Sequence, residues 1–209
     1  IISSNFAFSI DNKNTTKNEK DIILPTYKEL EFTLTKALLQ RKSTRDFNDI
    51  AQPIGLENLS TILWAAIGIN REDGKRTAPM VMDKDYIKLY IFSNSGIYLY
   101  DVKNNILKNI SSDNVKEKIV NSSKSAVAEY IILITADISE LPFFFKREQK
   151  INLANANAGC IAQNIYLSAN ALNLDTCLMA YFKDKKVSEI LKLKKDELPL
   201  FIMPLGVGK

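Results

Sequence analysis

Residues 87–100 read Ile87-Lys88-Leu89-Tyr90-Ile91-Phe92-Ser93-Asn94-Ser95-Gly96-Ile97-Tyr98-Leu99-Tyr100. The two flanks are rich in β-branched and aromatic side chains, and Ser93-Asn94-Ser95-Gly96 between them is made of turn residues. The stretch reads as a hairpin, so antiparallel pairing enters the fold here. Residues 130–136 are apolar except for Thr135, which suits a central strand covered on both faces.

Outward from these strands the apolar spacing becomes helical. Leu34, Ala37, Leu38 and Arg41 predict a helix that ends at the polar run Arg41-Lys42-Ser43-Thr44-Arg45. Leu56, Leu59, Ile62, Leu63, Ala66 and Ile67 predict a second, with Gly68 at the place of a C′ glycine. Asp113 is placed to cap a short helix carrying Val115 and Ile119. Ala154, Ala158, Ile161, Ile165, Ala169 and Leu172 trace one face of a long helix. Its alanines let another helix approach closely, which puts it at the centre of the domain or of a dimer interface. Val187, Ile190 and Leu191 mark a last helix, and Leu200 to Leu205 a last strand before Gly206 and Lys209. Helices interleaved with a hairpin predict an α+β domain whose mixed, mostly antiparallel sheet is flanked by helices.

Composition narrows the chemistry. The 209 residues fit one domain with a sizeable core. A formal charge of +4 is mild, and the lysines alternate with Asp, Glu and Asn instead of forming an aromatic-studded stripe, so nucleic acid is not an expected partner. The chain has no histidine, which removes Ser-His-Asp and Cys-His mechanisms and every His-ligated metal site. Cys160 and Cys177 are too few for a four-thiolate zinc site or a cubane cluster. They are expected to be small buried side chains, with a disulfide open to them if the protein is exported and the geometry permits. An enzyme of this composition leaves the hard chemistry to a cofactor. Neither a Gly-x-Gly-x-x-Gly nor a Walker A loop is present, and no apolar stretch is long enough to span a membrane. Lys183, Lys185, Lys186, Lys192, Lys194 and Lys195 read as a solvated face.

Ile1 to Phe8 is largely apolar, and Ala7-Phe8-Ser9 has the small-x-small pattern of a signal-peptidase site. Residues 1–20 are therefore expected to be a signal-peptide remnant and flexible lead-in, and 21–209 the folded domain. An exported or periplasmic location follows. The alternative is a short terminus of a cytoplasmic protein.

Six segments in order carry a resemblance. Arg41-Lys42-Ser43-Thr44-Arg45-Asp46-Phe47 resembles the R-[RK]-S-x-R-x-F opening of the FMN-dependent nitroreductase family. Leu59-Ser60-Thr61-Ile62-Leu63-Trp64-Ala65-Ala66-Ile67-Gly68-Ile69-Asn70 is similar to its L-W-A-A-x-G-I-N stretch, followed by Gly74-Lys75-Arg76-Thr77-Ala78-Pro79. Gly96 to Asp101, Ala156 to Leu167 and Pro204-Leu205-Gly206 continue the match, and the likeness is strongest to a subgroup that often carries signal peptides.

The resemblance implies a nitroreductase-like homodimer with FMN at its interface. Electrons would pass from NADH or NADPH through the flavin to a small-molecule acceptor such as a nitroaromatic or a quinone, with no catalytic side chain beyond the flavin. It assigns FMN contacts to Arg41, Lys42, Ser43, Arg45, Pro79, Met80, Val81, Met179, Ala180, Gly206 and Lys209. Arg41 and Lys42 would face the N1 edge, Ser43 would make one hydrogen bond, and Arg45 and Lys209 would approach the phosphate. The physics agrees, since a phosphate dianion needs fixed cations and Arg offers a planar fork of donors. Two departures stand out. Pro79-Met80-Val81 replaces the family's Pro-Ser-Ala, and Met179-Ala180 replaces Arg-Gly. They suggest as one alternative a degenerate, non-catalytic flavin-binding protein; a peptide azoline dehydrogenase, also flavin-dependent, is a second.

Overall fold

The computed structural model describes residues 20–48 and 53–209. Ala7-Phe8-Ser9 and most of the expected lead-in lie outside the described residues. The strands are β1 (Ile22–Ile23), β2 (Ile87–Ser93), β3 (Gly96–Asp101), β4 (Ile106–Ser111), β5 (Tyr130–Asp137), β6 (Asp175–Thr176) and β7 (Glu197–Gly206). The helices are α1 (Leu34–Gln40), α2 (Leu56–Ile67), α3 (Lys116–Ile119), α4 (Ser123–Ala126), α5 (Arg147–Ala171) and α6 (Asp184–Leu191). One sheet runs in the order β1-β4-β3-β2-β5-β7-β6, and every pairing is antiparallel. The expected α+β class holds.

The hairpin closes where the sequence placed it, with Ser93 opposite Gly96 and Asn94-Ser95 at the turn. Gly96 has φ +142°, a conformation that only glycine adopts without strain. β5 shows why its sequence is apolar without alternation. Ile132 and Ile134 point into a core shared with α2 and α5, while Ile131 and Leu133 point into a second core under α3 and α6. Successive strand residues face opposite sides, so a strand covered by helices on both sides needs apolar residues at every position.

α5 is the long helix of the first core. Its Ala154, Ala158, Ala162 and Ala169 are buried, and Asn164 Nδ2 donates to Ala65 O of α2 at 2.9 Å. The small-residue face is thus used inside the chain and offers nothing to a partner. What α5 leaves exposed is a different stripe through Asn152, Ala156, Gly159, Cys160 and Gln163. No helix among the described residues is long and apolar enough to cross a membrane.

Three expectations are corrected, and one strand was missed. Gly68 does cap α2, but with φ −63° and ψ 160°, so no left-handed turn requires it. Glycine is needed because a Cβ there would lie 2.3 Å from Trp64 Cδ1. Asp113 does not cap α3; its carboxylate accepts from Ser111 Oγ, and Asn114 Oδ1 accepts the Lys116 amide instead, at 3.3 Å. Cys160 is exposed, and both cysteines are free thiols. β4 was not expected, because Lys108 and Asn109 interrupt its apolar residues; pairing with β3 decides its conformation. The six lysines from Lys183 to Lys195 are exposed as expected.

Candidate functional site

The basic loop leaves α1 at Arg41, the C-cap residue of that helix. Distant parts of the chain then hold it. Phe47 is buried and forms a bridge with Gly208; the Asn48 amide donates to Val207 O at 2.8 Å and the Lys209 amide to Asp46 O at 3.1 Å. The Thr44 amide donates to Thr176 O at 3.0 Å. Asp175 is the polar anchor. It accepts from Thr44 Oγ1 at 2.7 Å and from the Gly208 amide at 3.1 Å, and it lies 3.4 Å from Lys42 Nζ.

The cations of this region differ in how far carboxylates cancel them. Lys42 faces Asp175. Lys124 Nζ is 2.8 Å and Lys209 Nζ 3.9 Å from the Asp46 carboxylate. The hydrogen bond from Lys124 holds the Asp46 carboxyl below its ordinary range, with the charges of Lys124 and Lys209 adding to it. Arg41 and Arg45 have no carboxylate partner among the described residues. The Arg41 guanidinium carbon lies 5.2 Å from the Tyr166 ring centroid, and the Arg45 side chain is exposed.

Tyr166 of α5 joins this loop to the other half of the basic side. Its hydroxyl is 2.8 Å from Ser43 Oγ and accepts the Leu178 amide at 2.7 Å. Met179 exchanges backbone hydrogen bonds with Ile202 of β7 at 2.9 and 3.1 Å, which fixes the exposed Ala180 next to it. Ala180 is absent from the residues with positive φ, so alanine meets no backbone strain where the resemblance led one to expect glycine. Gly206, at the end of β7, lies against Phe47, which a Cβ would approach to 3.1 Å.

Pro79, Met80 and Val81 lie elsewhere. The Val81 amide donates to Asn157 Oδ1 at 3.2 Å, and the same oxygen accepts from the Tyr86 hydroxyl. Burial pushes the Tyr86 phenol up to about 12, so it remains a donor at neutral pH. Met80 packs against the main core. Met82 and Asp83 follow with φ of 49° and 55°, two successive left-handed residues of the kind that concentrate at functional loops. An open cleft of about 660 Å³ beside them is lined by Arg71, Lys75, Arg76, Pro79, Met80 and Asp83, among others.

Asn157 and Tyr166 are nine positions apart on α5. At 3.6 residues and 5.4 Å per turn they sit about 13 Å apart and half a turn round the helix. One chain therefore divides the expected contacts into a basic group on the Tyr166 side and a Pro79–Val81 group on the Asn157 side. Tyr166, Asp175, Asn157 and Lys124 were not singled out in the sequence. Tyr166 falls inside a matched segment, whereas nothing about Asp175 could be noticed without its partners.

Known proteins resemble the chain throughout this region. It matches the model of the nitroreductase family over residues 38–207. A provisionally named nitroreductase of Methanocaldococcus jannaschii is 28% identical over 196 residues, covering 89% of this chain and 96% of that protein. A crystal structure of a provisionally named nitroreductase of Ralstonia eutropha JMP134 has a TM-score of 0.81 and 26% identity, over 91% of this chain and 90% of that one. A further one, from Anabaena variabilis, shares the fold at a TM-score of 0.69 and 22% identity; 83% of this chain is covered, and 37% of that longer chain.

Proposed function

This chain belongs to the nitroreductase family of oxidoreductases, and from that premise we propose that two copies of it hold FMN between them and pass electrons from NADH or NADPH to an electron-poor small molecule such as a nitroaromatic or a quinone. The observation that carries this reading is the division of the expected contacts by α5. Arg41 and Ser43 gather with the segment leading into Met179 and Ala180 on one side, Arg45 following in the same loop, and Pro79, Met80 and Val81 lie on the other. A two-fold pair of chains sets the first group of each subunit against the second group of its partner, giving two sites. Exposed leucines support such a pair. Leu34, Leu38 and Leu39 of α1 are 65%, 53% and 81% exposed, and α1 leads directly into the basic loop. Large apolar residues gathered at a surface mark an interaction site.

The residues present fit FMN. Arg41 and Arg45 supply cations that no carboxylate among the described residues cancels, and paired guanidinium donors suit a phosphate dianion. The Ala180 amide has no acceptor among the described residues and is free to donate to a flavin edge. Bound FMN supplies hydride and electron transfer, and the protein's part is placement and electrostatic tuning. The test is an absorbance spectrum of the purified chain, an anaerobic titration with NADH and NADPH, and a mass in solution. A yellow dimer bleached by either nucleotide is expected. Protein that stays colourless after mixing with FMN refutes the reading, and a flavin-bearing monomer refutes the shared site.

A further inference from the structure

Tyr166 touches three elements of the basic side at once: Arg41 through its ring, Ser43 through its hydroxyl, and the segment before Met179 through the Leu178 amide. We propose that Tyr166 is the positioning residue of the site: its ring presents Arg41 to the ligand with its charge uncancelled, and its hydroxyl sets the spacing between the basic loop and the Met179-Ala180 peptide. The proposal rests on the flavin reading given above.

The ring's part follows from comparing the cations. A lysine held by a carboxylate, as Lys42 is by Asp175, has much of its field cancelled before any ligand arrives. An aromatic face attracts a guanidinium through its quadrupole and carries no net charge. Arg41 is thereby oriented without being neutralised, and its N–H donors stay available to an anion. Orientation matters because a free arginine side chain gives up considerable rotamer entropy when it is fixed on a ligand. A ring already holding Arg41 removes part of that cost.

The hydroxyl's part follows from its valence. A phenol has one proton to donate and lone pairs to accept with. Here it accepts from the Leu178 amide at 2.7 Å and shares a hydrogen bond with Ser43 at 2.8 Å. Two segments far apart in sequence are thus referred to one atom on a helix. That helix is well anchored, since Ile165 and Ala169 beside Tyr166 are fully buried. A displacement of Ala180 is transmitted to Ser43, and the reverse.

The test uses the full chain and two substitutions. Tyr166→Phe keeps the ring and removes the hydroxyl, while Tyr166→Leu removes both. Phe is expected to retain the ring-dependent affinity for FMN, and Leu to bind about 2- to 5-fold more weakly than Phe at low salt. That difference should narrow as salt rises, since it depends on the poise of a charge. Separately, hydrogen exchange at the Leu178 amide should quicken in the apo form of Tyr166→Phe, because its acceptor is gone. Circular dichroism of both variants checks the fold, and the conservative Phe variant carries the exchange test whatever happens to Leu. Equal FMN affinities for the Phe and Leu variants, or unchanged Leu178 exchange in Phe, overturn the proposal while leaving the flavin reading intact. A wild-type chain that takes up no FMN overturns both.

Discussion

Replacing Asp175 with Asn tests whether one carboxylate organises the basic loop. Three contacts converge on it: the Thr44 hydroxyl at 2.7 Å, the Gly208 amide at 3.1 Å and the Lys42 ammonium at 3.4 Å. The Lys42 contact is the weakest, because that side chain is 68% exposed, and exposed pairs contribute about 0–1 kcal/mol. The two hydrogen bonds to the charged carboxylate weigh more, at about 1.5–3 kcal/mol each. Asn keeps one acceptor oxygen for the Gly208 N–H, and its amide nitrogen then faces Thr44, whose hydroxyl must turn from donor to acceptor. Asp175→Asn therefore keeps two bonds but takes the charge out of both, at a cost of about 1–3 kcal/mol in all, equivalent to roughly 2–12 °C in melting temperature for a domain of this size. Lys42→Ala removes only the exposed pair and should cost less than about 1 kcal/mol. Thermal unfolding of the ligand-free protein, followed by far-ultraviolet circular dichroism, reads both. If Asp175→Asn melts with wild type, or Lys42→Ala costs as much as it does, the carboxylate is not the anchor.

Arg45→Ala should weaken FMN binding by roughly 10- to 150-fold, the equivalent of about 1.5–3 kcal/mol for a charge-assisted contact. Its melting temperature should not move, because the exposed side chain has no ion-pair partner among the described residues; Lys192→Ala is the control, and unchanged FMN affinity in Arg45→Ala would remove this residue from the site. Gly68→Ala places a Cβ 2.3 Å from Trp64 Cδ1 and 2.6 Å from its carbonyl oxygen. It should cost about 1–3 kcal/mol as overpacking, read by urea unfolding, and should weaken the Tyr27–Trp64 stack, whose centroids are 3.7 Å apart. Alkali should unfold the protein. Burial raises Tyr86 to about 12 and raises Tyr90, Tyr100 and Tyr130 as well. Groups raised above an unfolded value of about 10 contribute stability that is fully present below that pH and lost as pH climbs through the folded values. A pH series of circular dichroism and phenolate absorbance checks this; titration of all the tyrosines near pH 10 with the fold retained would contradict it.

The elements legible in the sequence are those whose own residues state the pattern. The β2–β3 hairpin announces itself by composition and turn, α2 by its apolar period, and β5 by an unbroken apolar run that two covering cores require. β4 was illegible because its Lys108 and Asn109 are tolerated only by virtue of the neighbour β3. The site divides in the same way. The basic loop stood out because its cations fall in a stretch that resembles the family's opening segment. Asp175 and Tyr166 were not, since each acts through partners brought near only by folding, as with Thr44, which lies 131 positions before Asp175. The alanine face of α5 was read correctly as a close-packing surface, with both the domain core and a dimer interface left open; the structure uses it in the core.

The dependence of the loop on remote backbone has a consequence for when the protein becomes competent. Residues 44–48 are made early, yet Asp175, Thr176 and Val207 to Lys209 hold them in place. A chain emerging from the ribosome carries its arginines long before the strand that shapes them exists. Contacts this distant in sequence close late in folding. On the flavin reading proposed above, loading would be a step for the completed domain, and a ligand that binds only there would draw the last docking event forward by mass action. A chain cut short before Val207 should keep its arginines and lose this latch, and limited proteolysis near residues 41–48 should cut it first.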